Sequence, residues 1–126
     1  MSREFVERWY SSIPEFERDL PIILVDGRVY TPREIYNEVM KGTPLGEKLQ
    51  MELERLRSPH SLTYEDLRKL QEVAWERVKR IVKGLPKDFS VVSLSGMIVR
   101  GEKIAEVLKD SAVNYEMRKI IGLIRR

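Results

Sequence analysis

The sequence predicts a mainly α, compact helical domain of five or six helices with one small two-stranded β-hairpin near residues 22–30. Three observations carry that expectation. Between Ile22 and Gly42 the chain spells a hairpin followed by a helix with both ends marked. The Thr31-Pro32 helix start recurs at Thr43-Pro44, and Thr63 opens a long periodic stretch that runs to Gly84. Elsewhere apolar residues recur mostly at three- and four-residue intervals, as one buried helix face requires.

A chain of 126 residues has the length of one domain and can bury a core without covalent staples, so residues 1–126 are read as a single unit. Hydrophobic residues make up 42% and charged residues 34%, a balance that suits a folded domain and excludes the low-hydrophobicity signature of disorder. No apolar run approaches the roughly 18 residues of a membrane span, and Met1-Ser2-Arg3-Glu4 lacks the apolar segment of a signal peptide. A cytoplasmic protein without a membrane partner is expected. Cysteine is absent and histidine occurs once, which excludes disulfides, thiolate metal sites and cysteine nucleophiles. Asn37, Gln50, Gln71 and Asn114 are the only side-chain amides, while Glu, Lys and Arg abound, a thermophile-like usage.

Taken in order, Ser2 to Tyr10 fits a short amphipathic helix with Phe5, Val6, Trp9 and Ile13 at helical spacing, stopped by Pro14. Glu15 to Asp19 reads as an acidic connector in which Phe16 and Leu20 tuck inward. Ile22–Val25 and Arg28–Tyr30 are β-prone runs joined by Asp26-Gly27, a pair suited to the positive φ of a tight hairpin turn. An isolated hairpin is marginal in water, so its Ile22, Leu24 and Val29 side is expected to pack on helices. Thr31 and Glu34 form a capping box around Pro32, Ile35, Tyr36, Val39 and Met40 share a face, and Gly42 ends the helix in a left-handed conformation. Thr43-Pro44 starts the next helix, with Leu45, Leu49, Leu53 and Leu56 along one side and Pro59 beyond it.

Thr63 caps the helix Tyr64 to Lys83, whose expected stripe is Leu67, Leu70, Ala74, Val78 and Ile81 and whose terminator is Gly84. Its expected surface ion pairs are Glu65 with Lys69 and Glu76 with Arg80. Residues 87–101 are ambiguous in period and are read as helical after Ser90. Residues 102–109 continue as helix, with Asp110-Ser111 as an interruption. Val113, Met117, Ile120, Ile121 and Ile124 form the last stripe.

The chemistry-bearing motifs are incomplete. Gly42-Thr-Pro-Leu-Gly46-Glu-Lys48 lacks a phosphate loop's spacing and its Ser or Thr after Lys, and reads instead as a Gly C-cap followed by a Thr-Pro helix start. His60 lies in a Ser-Pro-His-Ser turn without a neighbouring nucleophile, and Ser93 and Ser95 lack the leading glycine of a nucleophile elbow. Asp26 could ligate a metal but has a turn role before Gly27. Ser93 to Asp110 threads as a helix-turn-helix, but Glu102 and Glu106 would repel phosphate where its second helix begins. No catalytic residue, metal ligand set or cofactor loop is expected.

Charge is asymmetric. Residues 1–63 hold 9 Lys/Arg against 11 Asp/Glu, net −2, and residues 64–126 hold 14 against 9, net +5, which returns the overall +3. The leading expectation is a non-enzymatic interaction or scaffold protein that self-associates through Phe5, Trp9 and Tyr10, forming a homo-oligomer or binding a protein partner. The alternative is DNA or RNA binding through Arg77, Lys79, Arg80, Lys83, Arg118, Lys119, Arg125 and Arg126, although cations near helix C-termini also complement the helix dipole.

Overall fold

A computed structural model describes residues 3–59, 61–85, 90–92, 98–100, 103, 106 and 109–126. Five α-helices dominate them: α1 (Arg3–Ser12), α2 (Pro32–Lys41), α3 (Pro44–Arg57), α4 (Tyr64–Lys83) and α5 (Lys109–Ile124). A 3₁₀ turn, Glu15–Glu17, follows α1. Strands β1 (Ile23–Val25) and β2 (Arg28–Tyr30) pair antiparallel with Ile23 opposite Tyr30 and Val25 opposite Arg28. The mainly helical expectation and the hairpin near residues 22–30 are thus borne out.

Local chemistry explains most boundaries. Asp26 (φ 50°) and Gly27 (φ 78°) both adopt the left-handed backbone that a two-residue hairpin loop demands. The capping box of α2 forms, with Glu34 N–H donating to Thr31 Oγ1 at 3.1 Å and Thr31 N–H donating to Glu34 Oε1 at 3.0 Å. Gly42 closes α2 at φ 70°, and Thr43 Oγ1 accepts from Gly46 N–H at 2.9 Å to start α3. Thr63 and Asp66 cap α4 reciprocally, and Asp66 also receives Arg55 of α3 in a two-pronged ion pair at 2.6 and 3.1 Å.

The core gathers one face from every helix: Val6, Trp9 and Ile13, then Ile35 and Val39, Leu49 and Leu53, Leu70, Val73 and Ala74, and Ile120, Leu123 and Ile124. The hairpin packs on α3 and α4 with Ile23, Val25 and Tyr30 buried, while Leu24 and Val29 are only half-buried. Leu24 and Val29, the expected side, also pack against the core, but the most deeply buried face is the opposite one. Ile22 is buried, but it precedes the ladder, so its alternation does not carry into β1.

Several expectations are corrected. Ser90–Val92 and Ile98–Arg100 form a second antiparallel ladder, β3 and β4, rather than helix, in keeping with the β-branched Val91, Val92, Ile98 and Val99. Asp110 and Ser111 lie in the first turn of α5, and most of the stretch before Lys109 lies outside the described residues. Gly84 ends α4 as expected, with a right-handed φ of −80°. The buried face of α4 comprises Asp66, Leu70, Val73, Ala74, Arg77 and Val78, rotated away from Leu67 and Ile81, which are exposed. On its surface Arg68 reaches Glu65 and Glu72, and Lys79 reaches Glu76, in place of the expected Glu65–Lys69 and Glu76–Arg80 pairs. His60, Ser93, Ser95 and the turn at Gly101 lie outside the described residues.

The Arg55–Asp66 link has a measurable consequence. Hydrogen bonds from Arg55, opposed by burial and aided by Thr63, hold the Asp66 carboxyl well below the usual carboxylate range. Asp66→Ala is expected to cost about 2–3 kcal/mol, the sum of half a capping box and one charge-assisted pair, measured by urea unfolding. Because the folded pKa lies below the unfolded one, this stabilisation is complete above the unfolded value near 4 and is lost as pH falls through the folded value. Wild-type stability should therefore decline below about pH 4 more steeply than that of Asp66→Ala.

Candidate functional site

The turn Glu15–Glu17, the middle of α4 and the middle of α5 converge on one side chain. Arg77 has no exposed surface. Its Nε donates to Glu116 Oε2 at 2.9 Å, its Nη1 donates to the Pro21 carbonyl oxygen at 3.2 Å, and its Nη2 donates to Glu17 Oε2. Lys119 Nζ lies 2.6 Å from the other Glu17 oxygen, an ion pair outside hydrogen-bond geometry. Glu17 and Glu116 are themselves buried. Burial pushes the Glu17 carboxyl up, but its contacts with Lys119 and Arg77 outweigh this and leave it below its ordinary value.

Two cations thus face two carboxylates, so the formal charges of the cluster balance. Each of the three guanidinium nitrogens of Arg77 donates a hydrogen bond, as a buried charge requires. The arrangement positions the turn against α4 and α5; the Arg77 guanidinium has no contact with solvent.

Arg77 is therefore withdrawn from the expected nucleic-acid surface, because a side chain inside the core cannot reach a phosphate. Lys119 is bound to Glu17. Arg126 donates to the Ser12 carbonyl oxygen, and Arg125 Nε donates to that of Leu56 at 3.1 Å, so the C-terminal pair ties α5 to α1 and α3. Lys79, Arg80, Lys83 and Arg118 are exposed. The eight cations accordingly do not form one basic face.

The expected self-association trio is likewise spent internally. Trp9 is buried and its Nε1 donates to the Leu123 carbonyl oxygen at 2.9 Å. Tyr10 stacks on Tyr36 with centroids 4.4 Å apart, and Arg57 lies 4.6 Å over the half-buried Phe5 ring. In their place, two aromatics that periodicity did not mark stand in solvent. Phe16, expected to tuck inward, is 72% exposed and Tyr115 is 64% exposed. Both rings lie beside Lys119 Nζ, at 5.7 and 6.0 Å from their centroids. Phe16 points outward while the turn that holds it commits Glu17, its neighbour, to Arg77.

A cleft of about 440 Å³ separates α4 from α5 on another part of the surface. Trp75 lies in its wall, half-buried, with Lys109 Nζ 5.0 Å and Lys79 Nζ 5.7 Å from its ring. Gln71 and Asn114 face the same space. Gly42–Lys48 is the cap-and-start structure described above, and Asp26 pairs with Lys48 beside its turn. Among the described residues no group of three or more His, Asp or Glu is placed to hold a metal ion, and no helix is long and apolar enough to cross a membrane.

Comparison of the chain with protein-family models, curated proteins and solved structures finds no match.

Proposed function

We propose that the chain is a non-enzymatic interaction protein that self-associates through the face built on Phe16 and Tyr115. The observation that carries this reading is the pair of rings, 72% and 64% exposed, held out by two different elements around Lys119. The ion cluster beneath them fixes both elements and cancels its own charge, so two copies can approach there without the repulsion that a net charge of +3 imposes elsewhere. A two-fold contact places the same rings of both copies together, and offset or edge-to-face aromatic pairs add about 0.5–1.5 kcal/mol each beyond their buried area.

Two rings per copy make a small contact, so a weak dimer is expected, with a dissociation constant in the range of about 10 µM to 1 mM. Sedimentation equilibrium across that range tests it. Phe16→Ala and Tyr115→Ala should each shift the population toward monomer while leaving the melting temperature unchanged, since both rings are solvated. A wild-type chain that stays monomeric up to about 1 mM, or variants that associate as the wild type does, would contradict the proposal.

A further inference from the structure

The cleft between α4 and α5 has a composition that the rest of the chain lacks. Only four side-chain amides occur in 126 residues, and two of them, Gln71 and Asn114, line this cleft from opposite helices. Neither carboxamide makes a hydrogen bond to another described residue, although both carry donors and acceptors. Between them stands Trp75, half-buried, its ring met by the Lys109 and Lys79 ammonium groups, with Val113 as a second apolar wall.

The charges around the ring are sorted. Lys109 and Lys79 both come within 6 Å of the Trp75 centroid, and Lys83 continues the same helix stripe four residues beyond Lys79. Besides its contact with Trp75, Lys79 makes an exposed ion pair with Glu76, which an incoming anion can replace at little cost. The acid Glu72 is already met by Arg68 at 2.9 Å. Asp110, in the same wall, carries no ion pair among the described residues and is available to accept from an N–H donor.

We infer that this cleft binds a nucleobase bearing a phosphate: the base takes the place of the lysine ammonium groups over Trp75 and stacks there, its donor–acceptor edge meets Gln71, Asn114 and Asp110, and the displaced Lys79 and Lys109 meet the phosphate. Stacking on an aromatic side chain is tolerant of base identity, and lysines beside it follow the phosphates. A free nucleotide and a stretch of single strand present the same chemistry. The site shares no residue with the Phe16–Tyr115 face.

The test titrates the intact chain with thymidine monophosphate and with a single-stranded oligothymidylate of about ten nucleotides, a length within single-strand site sizes. Binding is followed by the NMR resonances of the Trp75 indole N–H and the Gln71 and Asn114 carboxamides. The expected result is a shift of all three, with affinity roughly tenfold lower in Trp75→Ala, as loss of one stacked base implies. Trp75 is half-buried, so Gln71→Ala/Asn114→Ala serves as the second variant. It removes two solvated amides, should leave the melting temperature unchanged, and should also weaken binding about tenfold, as loss of paired hydrogen bonds implies. Equal affinity for both probes identifies a free nucleotide as the ligand; tighter, salt-sensitive binding of the oligomer identifies a strand. No shift at Trp75 with either probe up to about 1 mM, or unchanged affinity in both variants, would overturn the inference.

Discussion

Arg77→Ala is expected to lower folding stability by about 3–5 kcal/mol, the usual consequence of stripping one partner from a buried charge network. The substitution leaves Glu17 and Glu116 buried without their shared cation and frees the Pro21 carbonyl oxygen. Among the described residues Glu17 keeps only Lys119, and Glu116 loses the one cation paired with it. Arg80→Ala, one turn later on α4, removes an exposed charge and should change stability by no more than about 0.5 kcal/mol. The contrast is specific to burial, since the two arginines lie three residues apart on the same helix and carry the same charge. Replacing Arg77, Glu17 and Glu116 together with apolar residues of similar volume should recover most of the loss, because no uncompensated charge then remains inside. Lys119 is partly exposed and can turn to water. Urea unfolding of the wild type and three variants measures all of these differences on one scale.

Gly46→Ala is expected to be comparably severe, for a purely steric reason. Gly46 lies in the first turn of α3, pressed against the end of α2. A Cβ there would fall 2.6 Å from the Glu38 carbonyl carbon and 2.9 Å from Val39 N, and closer still to the Glu38 oxygen. The obstacle is backbone and cannot rotate aside, so α3 must withdraw from α2 and weaken the Thr43 contacts to Glu38 at the junction. A cost of about 3 kcal/mol, at the upper end of overpacking effects, is expected. Helix propensity alone would give the opposite sign, since Ala is favoured over Gly by roughly 1 kcal/mol in a helix. Gly122→Ala in α5 provides the control: nothing lies within 4 Å of its Cβ position, and the same substitution there should stabilise by about 0.5–1 kcal/mol.

Much of the fold is legible because its signals are local. Thr31-Pro32 with Glu34, Thr43-Pro44 and Thr63 with Asp66 satisfy their own helix ends, so three boundaries follow from neighbouring residues. Asp26-Gly27 fixes its turn for the same reason. What local pattern cannot decide is which side of a short element faces in, as the hairpin shows, because three residues per strand leave the choice to α3 and α4. The ambiguous run after Ser90 failed in the same way: short apolar stretches fit strand and helix equally well.

The buried cluster is concealed by the general rule that charged side chains lie at the surface. Yet its phase was present in the sequence. Arg77 follows Val73 by four residues and Leu70 by seven, and Glu116 stands three after Val113 and four before Ile120, both on core-facing stripes. A charged residue at such a position needs an opposite partner, and each of these two is the other's. Glu17 carried no comparable signal, since a 3₁₀ turn has no periodicity to place it. Phe16, in the same turn, has no period to place it either. The Trp75 cleft was obscured because Gln71 and Asn114 belong to separate helices, and only their packing brings the amides together.

Proton exchange at the arginine Nε–H groups tests most directly whether Arg77 is the internal cation on which the turn, α4 and α5 converge. With its Nε–H donated to buried Glu116 and no solvent contact, Arg77 should give an Nε–H resonance that persists in water at neutral pH and couples across the hydrogen bond to that carboxylate. Arg80 and Arg118, exposed on the same two helices, should exchange fast enough to lose theirs. An Arg77 Nε–H that exchanges as rapidly as theirs would contradict the buried cluster and return Arg77 to the protein surface.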